Sequence, residues 1–310
     1  LAGIGVDILD IQNKLNNALQ KVKKILGNQF FLSGGQILGA VREKKFLENE
    51  HDIDLGIFAE DAKEIIKILK EKDLLDKNSI RKIKYTDTIR AIKFEIDGIG
   101  VDVFVYHLFN GSYYAITHDN DLGFAFHKFP REIFDLQQEI EFLGEKYWIP
   151  EPFVYLNCEY GNWRIKKKKW SCCKNPPCLD KKVYLGGIFD LFHIGHLNLL
   201  KRARKLGGIL IVSVLRDWAA EKYKRKPIIP YDQRVEIVKE FADIVMPQFD
   251  VDEVKDGLMD MINPDVIVHG DDKLPHSYNW AIMNRKKTKI YPYTKEQSTS
   301  AIINKIKEDY

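Results

Sequence analysis

Two different patterns of apolar and polar positions divide the chain. From residue 183 onward, short apolar runs alternate with longer stretches in which apolar residues recur every three or four positions. Segments 183–185, 209–215, 243–246, 266–269 and 289–291 read as strands, and 197–206, 231–241, 251–262 and 300–306 as helices. Such alternation predicts an α/β fold with a doubly wound parallel sheet, in which ligands gather beyond the carboxyl ends of the strands. The first half reads differently, as a mixed α+β domain with antiparallel pairing. Residues 11–26 form an amphipathic pattern, 30–32, 54–58, 91–96 and 101–106 read as strands, and 62–72 as a helix.

Between the halves, residues 164–182 lose apolar periodicity and carry a four-lysine run, Lys166–Lys169, and the pair Pro176-Pro177. This predicts two domains, 1–165 and 182–310, joined by a basic linker over 166–181. The lysine run reads as solvated, with contact to an anionic membrane surface left open. A length of 310 residues with 45% hydrophobic and 30% charged positions suits two soluble domains. A net charge of only +3 gives no reason to expect nucleic acid as a partner. No apolar run approaches the roughly 20 residues that span a bilayer. The opening Leu1-Ala-Gly-Ile-Gly-Val-Asp lacks a basic signal-peptide start, so a cytoplasmic protein is expected; it also lacks an initiator Met, so residues are expected upstream. Cys172, Cys173 and Cys178 do not have the paired C-x-x-C spacing of zinc sites, and they read, with Cys158, as reduced thiols.

The chemistry concentrates in 187–196, Gly-Ile-Phe-Asp-Leu-Phe-His-Ile-Gly-His. A strand turning through glycine into a helix presents backbone N–H groups to phosphate. His193 and His196, three apart, can then aim at one phosphoryl group and offset charge in its transfer. His269-Gly270-Asp271-Asp272 and Ser298-Thr299-Ser300 also follow expected strands, so they can share a cleft with the histidines. In the first half, Asp52 and Asp54 alternate on one strand and so face the same way, and Asp102 sits on a neighbouring strand. The three would form an oxygen cage for Mg²⁺ or Mn²⁺. The turn at Gly34-Gly35 leaves room for a nucleotide phosphate.

The decapeptide resembles the HxGH signature of the cytidylyltransferase family in its longer form, G-x-F-D-x-x-H-x-G-H. The resemblance covers about 183–310 and implies a Rossmann-like nucleotidylyltransferase fold in which a phosphate monoester attacks the α-phosphate of CTP and pyrophosphate leaves. It implies that His193 and His196 stabilise that transition state and that Gly186, Gly187, Ile188, Phe189 and Asp190 form the turn against the nucleotide. Lys222 and Lys224, in Glu221-Lys-Tyr-Lys-Arg-Lys226, would lie on a loop that clamps the triphosphate, and Arg234 would help hold it. The stretch from Ser298 to Ser300 would be a phosphate-binding helix start, and His269, Gly270 and Asp271 would border the nucleotide. The chain departs from the family at Tyr293-Thr-Lys-Glu-Gln297, where a basic residue is displaced and Lys295 substitutes. It departs again after Arg234, where an arginine that holds the second substrate's phosphate in glycerol-3-phosphate members is absent.

The order Gly34-Gly-Gln-Ile-Leu-Gly-Ala-Val-Arg42, His51-Asp-Ile-Asp54, Gly100-Val-Asp102-Val-Phe resembles the LicD/fukutin family, of nucleotidyltransferase-like fold. Trp148-Ile-Pro150, Tyr155-Leu and Tyr160-Gly-Asn-Trp163 extend the likeness over about 12–165, with His51 replacing the first acid of the usual run. It implies transfer of a phospho-alcohol from a CDP-alcohol to a glycan, with Asp52 and Asp54 catalytic, Asp52, Asp54 and Asp102 on the metal, and Gly34, Gly35 and Arg42 on the nucleotide. Together the resemblances imply a bifunctional enzyme. One domain makes a CDP-alcohol from CTP and a phospho-alcohol, and the other transfers the phospho-alcohol to a cell-surface glycan. Glycerol-3-phosphate is the first choice of substrate, with phosphocholine and phosphoethanolamine next. A cytidylyltransferase whose first domain only binds an acceptor or partner is the alternative, and a homodimer stays open.

Overall fold

A computed structural model describes residues 8–119, 123–136, 138–166, 176–271, 276–292, 294 and 298–309. By its internal contacts the chain divides into two compact units. One takes the chain up to Thr117 together with Ala125–Leu179, and the other His118–Phe124 with Asp180–Tyr310.

In the first unit, helix α1 (Ile8–Leu26) buries one stripe, Leu15, Ala18, Leu19, Val22 and Leu26, in the core. The main sheet holds β1 (Phe31–Leu32), β2 (Asp52–Phe58), β3 (Ile80–Lys82), β4 (Ile89–Ile96), β5 (Ile99–Phe109), β6 (Ser112–Asp119), β7 (Gly123–Pro130) and the short β10 (Leu179–Asp180). Its order is β1-β2-β5-β6-β7-β10, with β4 on β5 and β3 on β4. Most of these pairs are antiparallel, but β2 and β5 run parallel with Asp54 opposite Asp102. On β2 the pattern alternates: Ile53, Leu55 and Ile57 are buried, so Asp52 and Asp54 fall on the other face. A hairpin of β8 (Gln138–Phe142) and β9 (Glu145–Ile149) leads into α5 (Pro152–Tyr160). Helices α2 (Gly34–Leu38), α3 (Ala62–Glu71) and α4 (Glu132–Asp135) complete the unit, with one π-helical turn at Gly39–Glu43.

The second unit is a five-stranded parallel sheet of β11 (Lys182–Gly187), β12 (Ile209–Leu215), β13 (Ile244–Gln248), β14 (Val266–Gly270) and β15 (Lys287–Tyr291), in the order β13-β12-β11-β14-β15. Every residue of β12 is buried, as a strand covered on both faces requires. The helices are α6 (Ile194–Arg204), α7 (Asp217–Tyr223), α8 (Tyr231–Lys239), α9 (Leu258–Ile262), α10 (Ser277–Met283) and α11 (Thr299–Asp309). The first strand, β11, is central and strand order reverses beside it, so its carboxyl end lies at the switch point where such sheets bind ligands. This is the Rossmann-like arrangement expected.

Three expectations need correction. The helix expected over 251–262 is reduced to α9. Asp250 accepts from the Asp252 N–H (2.9 Å) and Asp252 from the Val254 N–H (3.1 Å), and such side-chain turns compete with helix. The lysine-bearing segment expected as loop begins inside α7. The linker expected over 166–181 is not one along its described end: Cys178 is buried in the first unit's core and Leu179–Asp180 form β10. Lys167–Lys169, Cys172 and Cys173 lie outside the described residues. No helix among the described residues is long and apolar enough to cross a membrane.

Candidate active sites

In the second unit, β11 ends at Gly186 and Gly187, and the chain turns into α6 through Phe189 (φ +58°) and Leu191 (φ +45°). Left-handed backbone at such residues is strained, and strain of this kind gathers at functional turns. A Cβ on Gly187 would meet the Phe189 ring at 2.9 Å, so the turn needs glycine there for packing alone. The buried Asp190 pins a second loop to the turn. Its carboxylate accepts from the N–H groups of Ile228 (3.0 Å) and Ile229 (2.9 Å), and Arg225 lies 3.4 Å away. Its backbone oxygen accepts from Thr299 Oγ1 (2.9 Å), tying in the start of α11.

Helix α6 begins inside the motif. His193 is its N-cap, and its Nδ1 accepts from the Gly195 N–H at 3.1 Å. His196 falls in the first turn, with its Nδ1 3.4 Å from the His193 N–H. With Nδ1 accepting, each ring carries its proton on Nε2. Burial lowers the pKa of His193. Burial, then the neighbouring imidazole, brings His196 down to about 3. Both rings are neutral hydrogen-bond donors near neutral pH.

A cavity of about 490 Å³ opens here. The structure brings to it Gly186, Gly187, Ile188, Phe189, Asp190, His193 and His196 from the turn, and Lys224 from the loop after α7. His269 and Gly270 join from the end of β14, and Ser298, Thr299 and Ser300 from the start of α11. The mouth thus combines two helix starts with cations, a combination that holds phosphates.

Three expected residues are not brought to it. Lys222 is on α7, exposed, with its Nζ over the Trp218 ring at 4.9 Å. Arg234 is wholly buried. Its Nε donates to Ile229 O (2.9 Å), its Nη1 to Ile188 O, and its Nη2 to Leu215 O (2.9 Å) and Asp217 (2.6 Å). It braces the cavity turn from behind and touches no ligand space. Asp271 is outside the lining, with its N–H donating to Tyr291 O at 3.1 Å. Asp272, Tyr293 and Lys295–Gln297 lie outside the described residues.

The cavity also recruits side chains that the sequence reading missed: Arg202, Arg225, Gln248, Glu253 and His276. Beneath Gly186, Tyr184 Oη and Ser213 Oγ are 2.5 Å apart, and Ser213 donates to Gln248 Oε1 at 2.8 Å. Glu253 is 5% exposed, and burial raises its carboxyl pKa. Its Oε2 has no hydrogen-bond partner among the described residues. A buried acceptor without a partner calls for a donor, and Glu253 is among the residues that line the cavity. Only the alternative to helix at 250–254 could have signalled it in the sequence.

In the first unit, the carboxylates of Asp52, Asp54 and Asp102 lie within 4.8 Å of one another. Partial burial, then Asp52, Glu50 and Asp102, hold the Asp54 carboxyl well above the usual range, and burial and Asp102 raise Asp52. Lys93 pairs with Asp102. Such repelling oxygens fit a hard divalent cation. Gly34 (φ +51°) brings backbone to the site, and a Cβ there would sit 3.0 Å from Asp54 Oδ2. Its N–H donates to Tyr155 Oη (3.1 Å), which belongs to a buried cluster with Ser33 and Tyr106. Gln36 donates to Asp52 O (3.0 Å) and accepts from the Asp54 N–H (2.8 Å), fixing the strand that bears both acids.

A cavity of about 340 Å³ beside the acids is lined by Gly35, Arg42, Glu50, Asp54, Tyr160 and Trp163, among others. Arg42 is held by Glu43 (2.9 Å) and Trp163 O (2.7 Å). Glu50 was missed in the sequence. Two residues ahead of Asp52, it supplies the acid whose place His51 was read to occupy. Burial, then Asp52, raises its pKa to about 7.

The two halves match two different family models. Residues 27–152 match the model described as LicD/FKTN/FKRP, nucleotidyltransferase domain, and residues 184–305 the one described as Cytidylyltransferase-like. These are the two families the motifs resemble, in the same order. Among curated relatives, the Bifunctional protein HldE of Yersinia pestis (strain Pestoides F) is 35% identical over 137 residues, 41% of this chain and 28% of its own. That of Hahella chejuensis is 28% identical over 135 residues, 42% of this chain and 28% of its own. The chain thus spans well under a third of the relatives it matches. A lipopolysaccharide core biosynthesis protein from Thermoplasma volcanium is 28% identical, with TM-score 0.33, 38% of this chain and 99% of that chain covered. Both family matches are to nucleotidyltransferase-type domains and support nucleotidyl transfer as the reaction class.

Proposed function

We propose that the second unit joins CTP to a phospho-alcohol. The observation that carries this reading is the pair of neutral histidines at the start of α6, in one cavity with Lys224, Arg225 and the start of α11. A phosphate oxygen of the phospho-alcohol attacks the α-phosphorus of CTP. The bond to the bridging oxygen breaks, and pyrophosphate leaves with its electron pair. The Nε2–H groups of His193 and His196 donate to the α-phosphate oxygens as charge builds, while Lys224 and Arg225 compensate the leaving pyrophosphate. Glycerol-3-phosphate is the favoured partner. Its hydroxyls, like the ammonium of phosphoethanolamine, offer donors to Glu253, whereas the quaternary ammonium of phosphocholine offers none.

The first unit then consumes the CDP-alcohol: a glycan hydroxyl attacks the phosphorus that bears the alcohol, the bond to the bridging oxygen breaks, CMP leaves with the electron pair, and the hydroxyl proton passes to solvent. Asp52, Asp54 and Asp102 would hold Mg²⁺ or Mn²⁺, which supplies charge compensation on the diphosphate. Gly34, Gly35 and Arg42 would receive that diphosphate. One chain carrying both sites raises the local concentration of the shared intermediate. The pairing of Lys93 with Asp102 favours a second reading, in which the amine stands in for a metal and the unit only binds acceptor.

Incubation of the full chain with CTP, Mg²⁺ and a panel of phospho-alcohols, with mass detection of products, tests the first activity. No CDP product from any member sinks it. Adding a glycan acceptor tests the second. Transfer that vanishes in Asp52→Asn while CDP-alcohol formation persists is expected, and no transfer by the unmodified protein leaves the binding-module reading.

A further inference from the structure

Outside the linings of both cavities, the first unit buries a group of metal-ligating side chains that neither activity uses. His127 on β7, Glu159 in α5 and Cys178 just before β10 are 2%, 7% and 8% exposed. His127 Nδ1 lies 3.4 Å from Glu159 Oε2, and Cys178 Sγ lies 3.6 Å from that oxygen and 3.8 Å from that nitrogen. As hydrogen bonds these contacts are poor, since a charge-assisted N–H···O bond closes to about 2.7–2.9 Å. As edges of a tetrahedron they are nearly right. Zinc bonds of about 2.3 Å to sulfur and about 2.0 Å to nitrogen and oxygen put N–O, S–O and S–N pairs at roughly 3.3, 3.5 and 3.6 Å.

The surroundings are built for the same geometry. His127 Nε2 is 2.9 Å from Thr117 Oγ1. An Nε2–H donating there leaves the Nδ1 lone pair facing Cys178 and Glu159, the outer-shell support that ligating histidines have. The Cys178 backbone is fixed on both sides: the Lys128 N–H donates to its oxygen (2.8 Å), and its own N–H donates to Cys158 O (3.0 Å). None of the three side chains lines either cavity described above, so a nucleophilic thiol would have no place for a substrate.

We propose that His127, Glu159 and Cys178 bind a zinc ion that staples β7, α5 and the segment entering β10. One thiolate and one carboxylate neutralise the divalent ion, so no net charge is buried; without it Glu159 is a buried acid beside a thiol and an imidazole. On binding, Cys178 gives its thiol proton to solvent and coordinates as thiolate, while His127 binds neutral. Three ligands leave a fourth position for water or another donor. The N, O and S mixture selects zinc over Mg²⁺, which takes oxygen. The thiol therefore belongs to a metal site, and not to the linker read from the sequence.

Metal analysis of the full chain, isolated from zinc-supplemented medium without chelators, should find about one zinc per chain. Exchange with Co²⁺ should give the visible bands of a tetrahedral site and a thiolate charge-transfer band. Cys178→Ser should lose that band, His127→Ala should lose the metal, and a strong chelator should lower the melting temperature of the unmodified protein by roughly 5 °C or more. Less than about 0.1 zinc per chain in the unmodified protein overturns the proposal without recourse to any variant. So does a metal content and thiolate band left unchanged by both substitutions.

Discussion

The imidazoles of His193 and His196 lie face to face, with centroids 3.9 Å apart and planes 24° apart. Two charged rings could not sit so, and the low pKa of His196, about 3, follows from burial and from His193. On the proposed function, the pair acts by donating hydrogen bonds from neutral rings. Removing one such donor from a transition-state site costs about 10²–10³ in turnover. His193→Ala and His196→Ala should each lower kcat by that amount with a smaller change in the KM for CTP. Steady-state kinetics decide it, and near-normal kcat in either variant removes the ring from the chemistry.

Arg234 should matter through position. Its guanidinium fills a wholly buried slot and reaches Ile188 O, Ile229 O, Leu215 O and Asp217. Lysine has no planar fork to satisfy those acceptors. Arg234→Lys should destabilise the second unit by about 3 kcal/mol, because a lysine ammonium in that wholly buried slot cannot reach all the carbonyls the guanidinium serves; the pairing with Asp217, which is 38% exposed, adds little. Urea unfolding followed by tryptophan fluorescence measures it. A loss of activity at unchanged stability would instead make Arg234 a ligand-contacting group.

That contrast shows where the sequence was readable. The order of strands after residue 183, the start of a helix at the histidines and the alternation of Asp52 and Asp54 all follow from local periodicity, and the structure has them. The role of Arg234 could not be read, because a buried arginine and a phosphate-binding one look alike until the carbonyls it serves come together from 188, 215 and 229. Glu253 hid in a stretch patterned like a helix, and Glu50 hid beside a histidine taken for its place. Cys178 belongs to the core because His127, some fifty residues earlier, is folded against it, and no local pattern announces that.

The loop after α7 gives a direct comparison of neighbouring cations. Lys222 is exposed on the helix over Trp218, whereas Lys224 and Arg225 line the cavity and Arg225 is anchored near Asp190. An exposed charge outside the cavity contributes little beyond screened attraction. Lys222→Ala should change kcat/KM for CTP less than about threefold, and Arg225→Ala should lower it at least about tenfold. Equal losses would mean that α7 unwinds to bring Lys222 in.

Glu253 should set the choice of the second substrate. Its unpaired Oε2 needs a donor, and Glu253→Gln keeps the shape while replacing one acceptor with an amide. The KM for glycerol-3-phosphate should rise roughly tenfold while that for CTP stays within about twofold, the cost of one mispaired buried hydrogen bond. A parallel rise in the KM for CTP would put Glu253 on the nucleotide.

Glu50 provides a test of the acidic site that needs no substrate. Its folded pKa is raised to about 7 from the ordinary 4.5, by burial and then by Asp52. Between those values the folded chain binds more protons than the unfolded one, so stability falls as pH rises through that window. Above about pH 7 the full penalty is present, and below about 4.5 it is gone. Glu50→Gln removes the titrating group. Without added metal it should stabilise the first unit by about 1–2 kcal/mol at pH 8, a figure reduced for solvent screening, and leave stability near pH 4.5 almost unchanged. Mg²⁺ should narrow the gap at pH 8, since a cation held by Asp52, Asp54 and Asp102 relieves the same repulsion. Urea unfolding at the two pH values, with and without Mg²⁺, checks each limb. A gap that is equal at both pH values would mean that Glu50 acts by packing, and one that Mg²⁺ leaves untouched would place no cation near these acids.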